Sequence, residues 1–148
     1  MYKRVLWGLV TAVCAVVMAA PAIASGGTSG NFADPLSNSD NSAQLKNGSW
    51  YFDTWPPCCS PMPGFHYSGN LRDNKSDGDW VYTRGKVDGY DWAGGASAEN
   101  HGGYGTQPFI SQKVWGADPP GQGKIQVCRH RGGIYPNICV ESPWKYSS

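Results

Sequence analysis

Two adjacent cysteines, Cys58 and Cys59, constrain the fold of this 148-residue chain more than any other feature. They lie in the proline-rich segment 55–63. Because proline fixes φ and lacks a backbone donor, this segment cannot be helical. Two further cysteines, Cys128 and Cys139, lie near the C-terminal end and could serve as partners for the adjacent pair. The arrangement predicts a small domain whose middle is stapled to its C-terminal part.

The four cysteines Cys58, Cys59, Cys128 and Cys139 allow three disulfide pairings. Adjacent strand residues point to opposite faces, so separate bonds from Cys58 and Cys59 to Cys128 and Cys139 are favoured. A strained bond within the adjacent pair, or Cys128 facing Cys139 across a hairpin, remains an alternative. A zinc site that adds His130 is disfavoured, because adjacent cysteines rarely reach one tetrahedral ion.

The N-terminal segment predicts export. Lys3 and Arg4 precede an apolar run over residues 5–20, and Ala22-Ile23-Ala24 has the small-x-small pattern that signal peptidase reads. We expect residues 1–24 to be a cleaved signal peptide and the protein to be secreted into an oxidising environment. Without this segment the chain has about one net negative charge and no basic stripe, which argues against nucleic-acid or membrane binding.

The remaining composition is typical of an all-β protein. The chain has 20 Gly, 11 Pro and 19 aromatic residues, which favours short strands and turns with aromatic burial. Strand-like segments cover 49–55, 79–83, 86–92, 109–115, 124–129 and 137–141, with Arg84-Gly85 as a hairpin turn. Only 93–101 suggests a helical turn. Residues 48–148 are therefore predicted to form a disulfide-stapled β-sandwich or barrel of about six or seven short strands.

Residues 25–47 are rich in Ser, Gly, Asn and Asp, which predicts a flexible polar leader. The alternative is a segment that orders on a partner and adds a strand to its sheet, with Phe32 and Leu36 as binding anchors.

Signals for catalysis are weak. His66, His101 and His130 are the only histidines, and no Gly-x-Ser-x-Gly nucleophile motif is present. The acidic stretch 73–79 resembles a calcium-binding EF-hand loop only in part, because Lys75 stands where an oxygen ligand is required. We therefore predict no enzyme, no metal and no cofactor.

The aromatic residues instead predict a recognition surface for a protein or a sugar. Without residues 1–24 the chain has six tryptophans and seven tyrosines, which are too many for the core of one small domain. The candidate binding residues among them are Trp50, Trp55, Trp80, Trp92, Trp115, Tyr82 and Tyr104.

In layout, the leader 25–47, the size after signal cleavage and the stapled aromatic β-domain make the chain similar to small exported bacterial proteins that act through partners. One such family is the adaptor subunit of umbrella toxin particles. The resemblance implies a link between a lectin-bearing subunit and a toxin stalk through an extended N-terminal segment, and it carries over no functional residue.

The sequence therefore predicts a secreted, non-enzymatic interaction protein, an adaptor or inhibitor that binds another secreted protein in an extracellular complex. The alternative is a secreted module that binds carbohydrate or cell wall, or a small toxin that acts on the envelope.

Overall fold

The structure, a computed structural model, describes residues 29–53, 63–93, 98–116 and 120–147, and these form ten strands. The strands are β1 (Ser29–Asn31), β2 (Leu36–Ser37), β3 (Ala43–Asp53), β4 (Gly64–Asp73), β5 (Val81–Val87), β6 (Ala98–Asn100), β7 (Phe109–Trp115), β8 (Gln122–Arg129), β9 (Ile138–Glu141) and β10 (Lys145–Tyr146).

The strands form two antiparallel sheets that share one core. The first sheet has the order β1-β3-β4-β7, with β2 also beside β3. The second has the order β10-β8-β5-β6, with β9 also beside β8. In the first sheet, β1 and β2 both pair with the edge of β3 that faces away from β4. In the second sheet, β10 and β9 both pair with the edge of β8 that faces away from β5. The predicted all-β class is confirmed as a sandwich of two sheets, not a closed barrel.

The core follows the two-residue period of the strands. In β4, Phe65, Tyr67 and Leu71 point inward and are essentially inaccessible to solvent. The ring centroids of Phe65 and Tyr67 lie 6.2 Å apart. Burial raises the pKa of Tyr67 to about 12, although a hydrogen bond between its hydroxyl and Thr83 of β5 opposes the shift. That bond joins the two sheets across the core.

Two glycines of the second sheet allow the sheets to approach closely. A Cβ atom at Gly85 would collide with Val114 and Tyr67 of the first sheet. The three atoms nearest to a Cβ atom at Gly123 would all belong to the ring of Phe65. Any larger residue at either position would force the sheets apart, because close-packed interiors leave no room for added atoms.

The N-terminal segment is part of the domain, which corrects the predicted flexible leader for residues 29–47. β1 and β2 pair with β3, and Phe32 and Leu36 belong to the core cluster. The three large apolar side chains of this polar segment, Phe32, Leu36 and Leu45, are all buried, and that burial compensates for the cost of ordering it. Residues 25–28 lie outside the described residues.

The predicted hairpin at Arg84-Gly85 is wrong, because β5 passes through both residues without a turn. The chain turns instead at Asp88-Gly89, where the amide of Tyr90 donates to the carbonyl of Val87. Gly89 has φ of +79°, which glycine adopts at little cost. The predicted strand over 86–92 therefore ends early.

Other strand predictions are confirmed or extended. β7 covers the predicted segment 109–115, and β8 and β9 form the predicted wide hairpin. The predicted strand 49–55 begins earlier, as the second half of β3. Part of the predicted helical turn, Ala98–Asn100, is a strand that pairs with β5. The central strand β4 was not predicted.

The disulfide pairing differs from the favoured prediction. Cys128 of β8 and Cys139 of β9 are direct partners in the antiparallel register, with Cα atoms 4.1 Å apart, and they form a disulfide with each other. This is the hairpin alternative, and it rules out bonds from Cys128 and Cys139 to Cys58 and Cys59. The two adjacent cysteines lie outside the described residues.

Candidate functional site

Three predicted binding residues lie in the interior. Phe32 is 5% exposed, Leu36 is 7% exposed and Tyr82 is 5% exposed. These three side chains therefore lie in the core and not at the surface, and their buried apolar area stabilises the fold. Tyr82 keeps a polar role, because its hydroxyl accepts a hydrogen bond of 2.9 Å from Nδ2 of Asn137.

The predicted tryptophans and Tyr104 do not form one patch. Trp50, Trp80 and Trp92 are half-buried, and Trp55 lies outside the described residues. Tyr104 and Trp115 are 65% and 57% exposed, but Tyr104 lies in the loop before β7 and Trp115 at the far end of that strand.

Among the described residues, Ile134 has the most exposed large apolar side chain, and it lies in the loop between β8 and β9, residues 130–137, which we call the hairpin tip. Ile134 is 90% exposed and Tyr135 is 60% exposed. Arg131 lies over the ring of Tyr135, with the guanidinium carbon 5.0 Å from the ring centroid. The tip therefore presents two apolar side chains beside a cation.

The base of the hairpin tip is closed by covalent and hydrogen bonds. The Cys128–Cys139 disulfide joins β8 to β9 just before the tip begins. Oδ1 of Asn137 accepts the amide of Arg131 at 3.3 Å, while its Nδ2 donates to Tyr82. The amide of Gly132 donates to Nδ1 of His130 at 3.2 Å. These bonds limit the conformations of the loop before any partner binds.

Aromatic rings stack beside the base of the tip. The imidazoles of His101 and His130 stack on Trp80 with centroid distances of 4.6 and 4.5 Å. The carboxylate of Glu99 contacts Nε2 of His101 at 2.8 Å. Trp80 thus holds the loop after β6 against the start of the tip, and its ring is largely covered by the two imidazoles.

Below the tip, the side chain of Arg129 is the centre of a charge cluster. Its Nη1 donates to Asp40 at 3.2 Å, and its Nη2 contacts Asp79 at 2.7 Å and also bonds Asp77. Only 8% of the Arg129 side chain is exposed. The carboxylates of the acidic stretch 73–79 thus bind a guanidinium from the same chain.

Two carboxyl groups of this cluster have shifted pKa values in opposite directions. Burial raises the pKa of Asp40, but hydrogen bonds from Ser42 and the charges of Lys75 and Arg129 outweigh it and bring the pKa below the ordinary value. Burial raises the pKa of Asp73, although the amide of Lys75 and the charge of Arg129 oppose the shift.

A second polar group lies on the outer face of the first sheet. Oδ2 of Asp53 lies 3.1 Å from Nζ of Lys113 and 3.7 Å from Nε2 of His66. The ring of Tyr51 stacks on His66 at 4.1 Å. Burial, followed by the charge of Lys113, lowers the pKa of His66, while Asp53 opposes the shift.

The lowered pKa of His66 predicts that acid destabilises the protein. The unfolded chain binds a proton at higher pH than the folded one, so the free energy of unfolding should fall as pH drops through the window just below 6.5. Urea unfolding at pH 7.5, 6.5 and 5.5 measures this. His66→Gln should reduce the pH dependence, whereas His101→Gln should keep it because His66 is intact there. Equal slopes in wild type and His66→Gln would contradict the prediction.

Sequence reasoning did not select the hairpin tip residues Ile134 and Tyr135 as binding residues. One sequence signal could have indicated them. The apolar pair lies between Gly132-Gly133 and Pro136, which are turn residues, and large side chains in a turn are usually exposed.

Compared with protein-family models, curated proteins and solved structures, the chain matches none of them. Among the described residues, no helix is long and apolar enough to cross a membrane. In the same part of the chain, no group of three or more His, Cys, Asp or Glu residues could hold a metal ion.

Proposed function

We propose that this protein is a secreted, non-enzymatic interaction domain, an adaptor or inhibitor in an extracellular complex, and that the hairpin tip binds its protein partner. The observation that carries this proposal is the 90% exposure of Ile134 on a loop closed by a disulfide. An apolar side chain held in solvent on a constrained loop is a typical anchor for a pocket on another protein.

The partner should offer an apolar pocket with an acidic rim. Ile134 and Tyr135 provide the apolar contact, and Tyr and Arg are residue types that are enriched in binding hot spots. Arg131 lies beside them, so carboxylates around the pocket would complement its charge and speed association.

Export is part of this proposal. It is supported by the N-terminal signal pattern in the sequence and by the Cys128–Cys139 disulfide, because disulfides persist in oxidising compartments. The non-enzymatic role is supported by the sequence, which has no Gly-x-Ser-x-Gly nucleophile motif. An antibacterial toxin particle, suggested by the family resemblance, is one complex in which such an adaptor could act.

This proposal does not use the N-terminal segment as the contact with the partner. Phe32 and Leu36 are core residues, so residues 29–47 hold the domain together and the hairpin tip replaces them as the proposed contact.

The test begins with the tagged protein in its native host. Wild type should capture a defined partner, and purified partner should then bind it with measurable affinity by calorimetry. The double variant Ile134→Ser/Tyr135→Ser should weaken that binding by about 100-fold, because hot-spot truncations cost 2 kcal/mol or more. Arg131→Glu should slow association and remove most of its salt dependence.

The matched control is Phe109→Ser, since Phe109 is 69% exposed but lies on β7 in the first sheet. Its affinity should stay within about threefold of wild type, because residues outside a hot spot contribute little. If the double variant bound the purified partner as tightly as Phe109→Ser does, the tip would not be the binding element.

A further inference from the structure

We propose that an open cleft at the end of the second sheet binds a short neutral oligosaccharide. The cleft has a volume of about 460 Å³, which is within the range of small-molecule sites. It is formed by the loop after β5, the start of β8 and the segment before β10, with Lys86, Asp88, Tyr90, Asp91, Gln122 and Trp144 around it.

The walls of the cleft have flat aromatic surfaces held in place by neighbours. Trp144 is stabilised by Lys124, whose Nζ lies 4.9 Å from its ring centroid and 5.2 Å from that of Trp92. Lys124 is in turn paired with Glu141. Tyr90 is 47% exposed and follows the tight turn at Gly89. Sugar rings present flat C–H faces that pack on such aromatic rings, and the rings provide large contact areas.

Two hydrogen bonds also fix the part of the cleft lining that we call its floor, Asp88 and Gln122. The amide of Gln122 donates to Oδ1 of Asp88, and the amide of Asp88 donates to the carbonyl of Gln122, each at 3.2 Å. This reciprocal pair ties the loop after β5 to the start of β8. A rigid floor lowers the conformational cost of holding a weak ligand such as a sugar.

The polar groups around the cleft match a polyhydroxyl ligand. The carboxylates of Asp88 and Asp91 can accept hydrogen bonds from hydroxyl groups, and Lys86 and Gln122 can donate to them. The lining has one lysine and two aspartates, a net charge of minus one, so uronic acids and phosphates are disfavoured. Aromatic faces beside carboxylates and donors fit a neutral saccharide better than a lipid or a polyanion.

This inference is independent of the hairpin tip. The cleft is built from the start of β8 and the segment after β9, whereas the tip lies between the other ends of these two strands. A domain with both surfaces could bind a protein and a glycan at the same time.

The test measures binding of three neutral trisaccharides, triacetylchitotriose, cellotriose and maltotriose, and of the anionic trigalacturonate, by calorimetry and tryptophan fluorescence. At least one neutral trisaccharide should bind with saturation below 10 mM, and trigalacturonate should bind at least tenfold more weakly. Trp144→Ala should weaken neutral binding at least tenfold. Trp115→Ala is the matched control, because this exposed indole lies on β7, and it should bind like wild type.

Asp91→Asn provides a second variant at an exposed loop position, and it should weaken binding even if Trp144→Ala does not fold. The hairpin double variant Ile134→Ser/Tyr135→Ser should retain full sugar affinity, which separates this proposal from the protein-binding one. No saturation by any neutral trisaccharide at 10 mM, tightest binding of trigalacturonate, or wild-type affinity in both cleft variants would overturn the proposal.

Discussion

Replacing Arg129 with methionine should lower the free energy of unfolding by about 3 kcal/mol, because it leaves Asp77 and Asp79 without the guanidinium that they contact. Arg129 is buried and contacts Asp40, Asp77 and Asp79. Methionine keeps an apolar stem, so the loss reports the missing charge and hydrogen bonds. Urea unfolding at neutral pH provides the measurement.

The matched control is Arg131→Met, an arginine two residues further along whose observed contact is with the ring of Tyr135. Its effect should stay within about 0.5 kcal/mol, as for most surface substitutions. The cost of Arg129→Met should also shrink as the pH falls through the lowered pKa of Asp40, because its protonated carboxyl no longer needs a cation. A loss of less than about 1 kcal/mol at neutral pH would mean that the cluster does not stabilise the fold.

Gly123→Ala is expected to be about as damaging, with a loss of about 3 kcal/mol from overpacking. Its new methyl group would enter the ring of Phe65, which is itself packed against Phe52 and Tyr67 and has no room to retreat. The position also lies between β5 and β10, so displacement of the backbone would disturb two strand pairs.

Gly133→Ala is the control for this substitution, because a Cβ atom there meets nothing within 4 Å. It should be neutral or slightly stabilising, since alanine reduces the entropy of the unfolded chain. Thermal unfolding followed by circular dichroism distinguishes the two variants. Equal melting temperatures would refute the close approach of the sheets at Gly123.

The sequence predicted the elements whose signals are local. β7 and the β8–β9 pair follow from β-prone residues bounded by glycine and proline. β4 was missed because Gly64, Gly69 and Asn70 make a strand resemble a loop. The sequence predicts a turn at Gly85, although its role is to leave space for side chains of the other sheet. Such contacts depend on residues distant in sequence and have no local signature.

Contacts between residues distant in sequence also limit how well the candidate binding residues can be predicted. Composition correctly indicated an excess of aromatic residues, and eight large apolar side chains are exposed among those described. Which of them point outward depends on how each strand faces the opposite sheet. Tyr82 was therefore predicted at the surface and lies in the core, whereas Tyr135 was overlooked and is exposed. In the N-terminal segment, the polar composition predicted a flexible leader, although Phe32 and Leu36 pack in the core.

Residues of the N-terminal part of the domain contact its last two strands, and these contacts limit when the domain can fold during synthesis. Nδ2 of Asn38 donates to the carbonyl of Ile138, 100 residues later in the chain. Nζ of Lys145 lies 5.6 Å from the ring centroid of Phe32 and 5.7 Å from that of Trp50. Because β9 and β10 complete the second sheet and supply these contacts, a growing chain cannot complete the domain until its last strands have left the ribosome. For the export proposed above, this order of folding would keep the chain open, and so able to cross a membrane, for most of its synthesis.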